Sequence, residues 1–407
     1  MWDLIRFELK KIVGNKAGML ACGLALLIIV GITVLDVFTT QVYDKSGRTC
    51  SGLDALNAYR VRQTSHEGTL DAERVAADLV TYDHAKALSE SEEPTYSEMD
   101  GEQILDSYGL EFWRETYAVL NDTYYKRLHS TMLIEDDQYA SDLQQGSSKS
   151  LETTLGEGLL GHHAYSLAEK NFWLDMASRI EWPLEYGYAD GWVTAFSWMS
   201  FTALSIASLC VALSGVFCTE YQTCADAIVL ATKRGKRELP VAKAVATLIF
   251  STAYWLITIV VMLASIFIFF GADGAGLPLQ MTGFANPYPL TMAGATMLRI
   301  VLGYVVVLGM AGITLLVSSK AGSSLGAAAI PVAVIFFGLL GLFFGPLTKV
   351  ATLTPASLLS WSYSVEVSYA AGSVAIDLPT AAAILYAVVL ITSVPLAMRS
   401  FSRHQVS

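Results

Sequence analysis

The sequence predicts an all-α membrane protein with six transmembrane helices, an N-terminal amphipathic interfacial helix and a mainly helical extracellular domain. Three observations lead to this prediction. The 407-residue chain is 53% hydrophobic with a mean hydropathy of +0.46, which is too apolar for an ordinary soluble protein. Long uncharged segments alternate with charged ones. Acidic residues are concentrated between positions 41 and 190, where 28 of them accompany 12 basic residues.

Residues 1–16 have the pattern of a helix that lies along a membrane surface. Five apolar side chains recur at near-helical spacing: Trp2, Leu4, Ile5, Leu9 and Ile12. The basic residues Arg6, Lys10 and Lys11 lie between them, and a basic helix with an apolar face binds at the membrane interface. The alternative is a plain positive flank of the first transmembrane helix.

Seven uncharged segments are long enough to cross a bilayer, and six of them are predicted spans. The seventh, 274–298, carries several glycines and prolines, and its first half is expected to be a loop. A crossing helix needs about 20 apolar residues, and a charge at its centre costs about 2.5–3.5 kcal/mol. The predicted transmembrane helices are 17–38, 192–217, 245–271, 297–318, 325–345 and 378–398. We expect the first to be a retained anchor and not a cleaved signal peptide, because its apolar run is long and no small-x-small site follows it.

The distribution of lysine and arginine predicts the orientation. Twelve basic residues fall on one side of the predicted helices: Arg6, Lys10, Lys11, Lys16, Lys233, Arg234, Lys236, Arg237, Lys243, Lys320, Arg399 and Arg403. The short segments on the other side contain Arg299 and Lys349. Cytosolic loops are enriched in basic residues, so both termini and the loop 218–243 are expected in the cytosol. Residues 39–190 are then extracellular, and residues 191–407 form a five-helix transmembrane region.

The predicted extracellular domain is long enough to fold independently. Its segments 53–88 and 104–133 have helical periodicity and not the alternation of strands. Five histidines fall in this region, but neither an HExxH nor an HxxxH pattern occurs, so we expect no metal site.

Two features near the predicted outer side have structural interpretations. Arg299, at the start of the fourth span, is expected to extend toward the outer headgroups and not to bind substrate. The segment Leu353–Tyr369 is expected to form a short interfacial helix or a re-entrant segment, with an aromatic belt as the simpler alternative.

The loop 218–243 is too short for a domain and longer than a turn requires. Its residues Ala225–Thr232 are apolar, and the basic run Lys233–Arg237 follows around Gly235. This pattern predicts a short helix parallel to the membrane with a basic end. The alternative is that the charges serve only as a topology signal.

The segment Glu220–Lys243, EYQTCADAIVLATKRGKRELPVAK, resembles the coupling loop of bacterial ABC transporter permeases of the type 2 class. In that family Glu-Tyr is usually followed by glycine, a Leu-rich stretch, a basic Gly-Lys and a lysine that enters the next span. Cys224 departs from the pattern, because glycine is common at that place. The segments Pro183–Trp192 and Gly68–Glu73 also resemble parts of permeases that have a large outer domain between their first two spans.

The resemblance implies a function in the bacterial cytoplasmic membrane. Permeases of this class form the membrane part of an exporter-like complex, with a separate cytosolic ATPase subunit and a second permease subunit in a homodimer or heterodimer. It implies an ATPase-coupling interface formed by Glu220, Tyr221, Asp226, Lys233, Arg234, Gly235 and Lys236. ATP and Mg would be bound by the ATPase, and no cofactor would be bound directly by this chain.

The sequence lacks a motif for ATP hydrolysis of its own. No GxxxxGK[ST] phosphate-binding loop occurs, and no acidic residue lies well inside a predicted span, which disfavours an ion-coupled carrier. We therefore expect a non-enzymatic permease subunit that exports a substrate, contacts membrane lipids and has no nucleic-acid partner. The alternative is a non-transporting membrane sensor or mechanotransmission protein coupled to a cytosolic ATPase.

Overall fold

The computed structural model describes residues 1–43, 49–64, 67–69, 155, 165–232, 235–282, 286–341, 347–361 and 367–403. These residues are mostly helical. The helices are α1 (Trp2–Gly14), α2 (Lys16–Thr39), α3 (Leu53–Thr64), α4 (Leu167–Ala177), α5 (Asp190–Trp198), α6 (Thr202–Leu213), α7 (Gly215–Gln222), α8 (Ala225–Ala231), α9 (Glu238–Phe270), α10 (Met292–Ser318), α11 (Ser324–Gly341), α12 (Thr348–Ala351), α13 (Pro355–Ser360) and α14 (Leu378–Ser402). Short 3-10 turns occupy Met199–Phe201 and Leu279–Thr282.

Three small antiparallel sheets of two strands each accompany the helices in the described residues. The strands are β1 (Gln41–Tyr43), β2 (Thr49–Ser51), β3 (Gly68–Thr69), β4 (Glu185–Tyr186), β5 (Ser368–Ala371) and β6 (Val374–Asp377). β1 pairs with β2 and β5 with β6, whereas β3 pairs with the distant β4, so that Gly68 faces Tyr186. The β3–β4 pair therefore joins two segments more than a hundred positions apart in the chain.

Five helical segments are long and apolar enough to cross a membrane. They are Lys16–Thr39, Asp190–Gln222, Glu238–Phe270, Met292–Ser318 and Leu378–Ser402. Each overlaps one of the spans predicted from the gaps between charges. Their number and apolarity are compatible with a multi-pass membrane protein.

The predicted span 325–345 corresponds to α11, which is shorter. α11 has 18 residues and contains Pro331, so it rises about 27 Å, slightly less than the hydrocarbon core of about 30 Å. Its apolar part, Ser324–Leu339, is shorter than the five candidate spans. The described residues thus contain five candidate spans and this additional apolar helix.

Beyond small shifts of the helix ends, the structure differs from the predicted spans in the start of the third and in the continuity of the second. The third span begins at Glu238 and not at 245, because the charged Lys243 is accommodated inside α9 by ion pairing. Its 33 residues rise about 50 Å. The second span is three helices, α5, α6 and α7, interrupted by the 3-10 turn and by Ser214. The Ser214 hydroxyl donates to the Val211 carbonyl oxygen at 2.8 Å, a side-chain bond that competes with the helical pattern.

A short segment after α11 folds back into the bundle. A Cβ atom added to Gly338 of α11 would lie 2.4 Å from the Ala351 carbonyl oxygen of α12. Pro355, Leu358 and Leu359 of α13 are buried, and α13 contacts the 3-10 turn of the second span. The described part of Leu353–Tyr369 therefore contains a short helix that packs against the second candidate span.

Different segments of the chain lie at the two ends of the helix bundle. At one end, called here the terminal end, α1, α7 and the last turn of α14 meet around Glu220 and Phe401, and Ser402 bonds to the segment between α8 and α9. At the other, called the insertion end, α3 and α4 contact the connections between later spans, through ion pairs of Arg60 with Asp273 and of Glu169 with Lys349.

The predicted extracellular domain is described in part. Within 39–190, α3 and α4 are helical as expected, and β1 to β4 are the short strands. Gly68–Thr69 of the Gly68–Glu73 motif forms β3. The predicted helical segment 104–133, and the part of 53–88 beyond Thr69, lie outside the described residues.

Candidate functional site at the terminal end

The segment that connects the second and third spans forms a short helix, as the sequence predicted. α7 ends at Gln222, α8 occupies Ala225–Ala231, and α9 begins at Glu238. Lys233 and Arg234, two of the predicted interface residues, lie outside the described residues. Gly235 is buried and its N–H donates to the Thr232 hydroxyl at 3.0 Å, whereas Lys236 is exposed.

Cys224, at the turn into α8, has a backbone conformation that glycine adopts easily. Its φ is 54°, the left-handed region, which is costly for a residue with a Cβ atom. This geometry gives a physical reason for glycine at the corresponding place in the family that the segment resembles. The cysteine side chain is exposed.

A cluster of four charged residues holds together the base of this segment. Lys243 of α9 donates from Nζ to Glu220 Oε1 at 2.9 Å and to Glu8 Oε2 at 2.9 Å. Lys11 Nζ lies 2.8 Å from Glu220 Oε1 and 3.4 Å from Glu8 Oε1. The cluster, Glu8, Lys11, Glu220 and Lys243, carries no net charge and ties α1, α7 and α9 together.

Lys243 is the centre of the cluster and is 1% exposed. Its ammonium group has three N–H donors, and the structure gives it three acceptors, since the Val216 carbonyl oxygen lies at 2.7 Å. A buried ammonium is tolerated only when paired and hydrogen-bonded. Glu220 and Lys243 flank the segment that contains α8, so their ion pair fixes the distance between the ends of that segment.

Lys11 lies at the edge of the cluster and is partly exposed. Burial alone would lower the pKa of Lys11, but the hydrogen bond to Glu220 and the charge of Glu8 outweigh burial and raise the pKa. Lys11 therefore stays charged at neutral pH and links α1 to the second span.

Tyr221 connects the same segment to two later helices. Its hydroxyl donates to the Ser319 carbonyl oxygen, just after α10, at 3.1 Å. Its ring lies 5.9 Å from that of Phe401 at the end of α14. The Ser402 hydroxyl then donates to the Lys236 carbonyl oxygen at 2.9 Å. Movement of the α8 segment would therefore be transmitted to the second, third, fourth and last candidate spans.

The exposed surface of α8 is apolar with a basic rim. Ile228 is 74% exposed, and Ala227, Ala231 and Cys224 are exposed beside it. Lys236 and Arg237 are exposed where the segment returns to the bundle. A partner that docked here would cover Ile228 first.

The structure separates the predicted interface residues into two groups. Glu220 and Asp226 are each 6% exposed and Tyr221 is half-buried, so these three face the interior of the chain and not a partner. Lys236 is on the surface. Sequence reasoning missed Glu8 and Ile228. Glu8 could have been found, because it shares a helical face with Ile5 and Ile12 where an acid is unexpected.

At the insertion end, α4 is anchored by a second buried cluster. Glu169 Oε1 accepts from Lys349 Nζ at 2.6 Å and from the Ser368 hydroxyl at 3.1 Å. Trp173 Nε1 donates to the same hydroxyl at 3.2 Å. Burial alone would raise the pKa of Glu169, but Lys349 and the backbone N–H of Ser166 outweigh it and lower the pKa.

The expectation for Arg299 is wrong. This residue is 3% exposed and does not extend to a surface. Its guanidinium donates to the Phe196 carbonyl oxygen at 2.5 Å and lies 3.7 Å from the Phe196 ring centroid. The reason is that α5 packs against α10 at this level and covers the side chain.

The described residues contain no candidate metal centre, and a cavity with an acidic lining lies at the insertion end. No group of three or more His, Cys, Asp or Glu residues among them could hold a metal ion. A cavity of about 460 Å³ at the insertion end is lined by β3, β4 and the turn after α9, with the carboxylates of Glu67, Glu185 and Asp273. Asp273 is already paired with Arg60.

Comparison of the chain with models of protein families, with curated proteins and with solved structures gave no match.

Proposed function

We propose that this chain is the permease subunit of an ATP-binding cassette transporter and exports a substrate across the bacterial cytoplasmic membrane. A separate ATPase subunit supplies the energy, with ATP and Mg bound there. The observation that carries the proposal is the exposed helix α8, whose two flanks are fixed to each other by the Glu220–Lys243 ion pair. A short helix fixed in this way transmits a push from a docked protein into the two attached spans.

The course of the chain supports six membrane crossings in this proposal. Ser324, at the start of α11, lies beside Gln222 at the terminal end. Lys349, shortly after α11, contacts Glu169 at the insertion end. A sixth crossing by α11 also brings α14 back to the terminal end, where α1 lies, as an even number of spans requires. With the basic loops inside, both termini and α8 are cytosolic.

The contacts of Tyr221 support motion that spreads beyond the two attached spans. Through Ser319 and Phe401 the α8 segment reaches α10 and α14. In this proposal closure of the ATPase tilts several spans together, and a second permease subunit, identical or different, completes the transport path.

Site-specific cross-linking tests the docking step. A photoreactive residue at Ile228 in the full chain, expressed in the cells that make it, should cross-link to a soluble protein with a GxxxxGK[ST] motif. The same probe at Ile268, an exposed position near the opposite end of α9, is the control and should give no such product. The proposal is abandoned if the Ile228 probe captures no nucleotide-binding protein, or if the purified complex does not hydrolyse ATP.

A second candidate function is a non-transporting sensor or mechanotransmission protein. The observation that favours it is the cluster of Glu169, Lys349, Ser368 and Trp173, which ties α4 to the connection between α11 and α14. Such a linkage would relay a force or a bound ligand inward. Vesicle assays with the complex distinguish the two functions. ATP-dependent flux supports the transporter, and ATP hydrolysis without flux supports the sensor.

A further inference from the structure

The helix α1 has one face in the protein and a second apolar flank that no described residue covers. Ile5, Glu8 and Ile12 are buried against the bundle, where α1 packs on α9. Trp2 and Val13 are 67% and 53% exposed. On a helix of 3.6 residues per turn these two side chains point within about 20° of each other, and the half-buried Leu9 lies between them along the same side, so the three form an apolar strip.

Two cations lie directly beside this strip. Arg6 and Lys10 are exposed, and they follow Trp2 and Val13 around the helix by about 20° to 80°. In the part of the chain that the structure describes, neither has a carboxylate partner. An aromatic and apolar strip bordered by unpaired cations is the arrangement of a helix lying at a membrane surface.

The position of α1 relative to the spans supports the same orientation. Only Asn15 separates α1 from α2, the first candidate span, and its side chain accepts from the Gly18 N–H at 3.2 Å. The exposed Lys16 begins α2. In a membrane crossed by α2, α1 would therefore lie where this helix leaves the bilayer, with its cations at the level of the headgroups.

We propose that α1 is a docking surface for acidic phospholipids of the leaflet at the terminal end. Trp2 and Val13 enter the boundary between headgroups and acyl chains, and Arg6 and Lys10 bind the anionic headgroups. Charge complementarity selects acidic over zwitterionic lipids, because basic residues near an anionic surface add attraction. Glu8 and Lys11, on the same helix, connect this surface to Glu220 and Lys243. The proposal does not depend on the transport assignment.

Lipid titration of the full chain in detergent micelles tests the proposal. The probes are phosphatidylglycerol and phosphatidylcholine, and native mass spectrometry gives the affinity for each. The wild-type chain should bind phosphatidylglycerol more tightly. The double variant Arg6→Gln with Lys10→Gln should lose about thirtyfold of that affinity, at about a tenfold loss per 1.4 kcal/mol and about 1 kcal/mol per basic residue. Both residues are exposed, so folding should be unaffected, which thermal unfolding in the same micelles checks.

A matched control separates a specific surface from net charge. The variant Lys236→Gln with Arg237→Gln removes the same charge from exposed positions at the same end, and it should keep the wild-type preference. Equal losses in both variants would overturn the proposal in favour of a diffuse charge effect. The proposal would also be overturned if the wild-type chain bound both lipids with equal affinity. It would equally be overturned if the Arg6→Gln, Lys10→Gln variant kept the full wild-type affinity for phosphatidylglycerol, and that result would point to a protein as the occupant of this surface.

Discussion

Single side chains hold the terminal end of this protein together. Lys243 and Glu220 act as structural ions that fix the base of the α8 segment, and their charges are satisfied inside the chain. The residues left for a partner are the apolar Ile228 and the exposed bases around it. The segment thus combines a rigid base with an exposed apolar tip.

Replacement of Lys243 by Met should destabilise the protein strongly. The substitution leaves the carboxylates of Glu8 and Glu220 close together, with Lys11 as their remaining cation. Removing one partner of a buried ion pair costs about 3–5 kcal/mol, because the other charge stays buried without its partner. The measurement is the thermal unfolding midpoint of the purified chain. The exposed Lys236→Met is the control and should change the midpoint little. Similar midpoints for both variants would mean that the cluster adds no stability.

Glu169 gives the insertion end a defined pH dependence. Its folded-state pKa is lowered by Lys349 and Ser166 against the effect of burial, so its contribution to stability is fully present above the unfolded pKa of about 4.3. The contribution is lost as pH falls through the folded-state pKa. Glu169→Gln should therefore be less stable than wild type at neutral pH, and the difference should shrink below about pH 4.

The matched control for this pH series is Asp175→Asn on the same helix. Asp175 pairs with Arg179 at the surface, and both side chains are more than 60% exposed, so its removal should cost at most about 1 kcal/mol. Unfolding midpoints across the pH series measure both variants. A gap between wild type and Glu169→Gln that stays constant down to low pH would contradict this account.

Among the elements, α11 and the α12–α13 segment depend on close backbone contact. Gly338 has no side chain, and this lets Ala351 and Thr354 approach α11. α13 in turn packs against the interruption of the second span. The interrupted second candidate span and the α12–α13 segment therefore support each other.

Substitution of Gly338 by Ala should displace the α12–α13 segment. The new Cβ would meet the Ala351 carbonyl oxygen at 2.4 Å, a backbone atom that cannot rotate away, and overpacking of this kind costs about 1–3 kcal/mol. Gly31→Ala on α2 is the control, because no atom lies within 4 Å of the added Cβ. Unfolding midpoints should fall for Gly338→Ala and not for Gly31→Ala; the reverse order would refute the close contact.

Across the whole molecule, the two ends differ in charge. Exposed basic residues gather at the terminal end, whereas the described parts of the acidic segment 41–190 lie at the other. A membrane between the two ends satisfies both the apolar helices and this separation. The sidedness of the protein is therefore its most informative property that can be measured directly.

Cysteine labelling in intact cells measures the sidedness. Cys50, in β2 at the insertion end, should react with a membrane-impermeant thiol reagent, because it lies outside the candidate spans and is partly exposed. Cys224 is exposed at the terminal end and should react only after the cells are opened. Labelling of Cys224 in intact cells, with Cys50 protected, would refute the proposed orientation.

Part of the candidate site could be predicted from the sequence. An apolar run bounded by polar residues predicted the short helix in the loop 218–243. The uncharged segments on either side of the loop predicted its place between two spans. The roles of Glu220 and Lys243 could not be predicted, because their partners on α1 are more than two hundred positions away. Arg299 was misjudged for the same reason, since helix packing and not chain position decides which charges are covered.

The sequence by itself determined which segments are apolar enough to cross a membrane, because the cost of a buried charge is a local property of each helix. Only the tertiary structure decided which charged and polar groups pair inside the chain and which face outward. Ion pairs such as Lys243 with Glu8, and close contacts such as Gly338 with Ala351, join distant positions. Their free energy depends on geometry that exists only once the helices have packed.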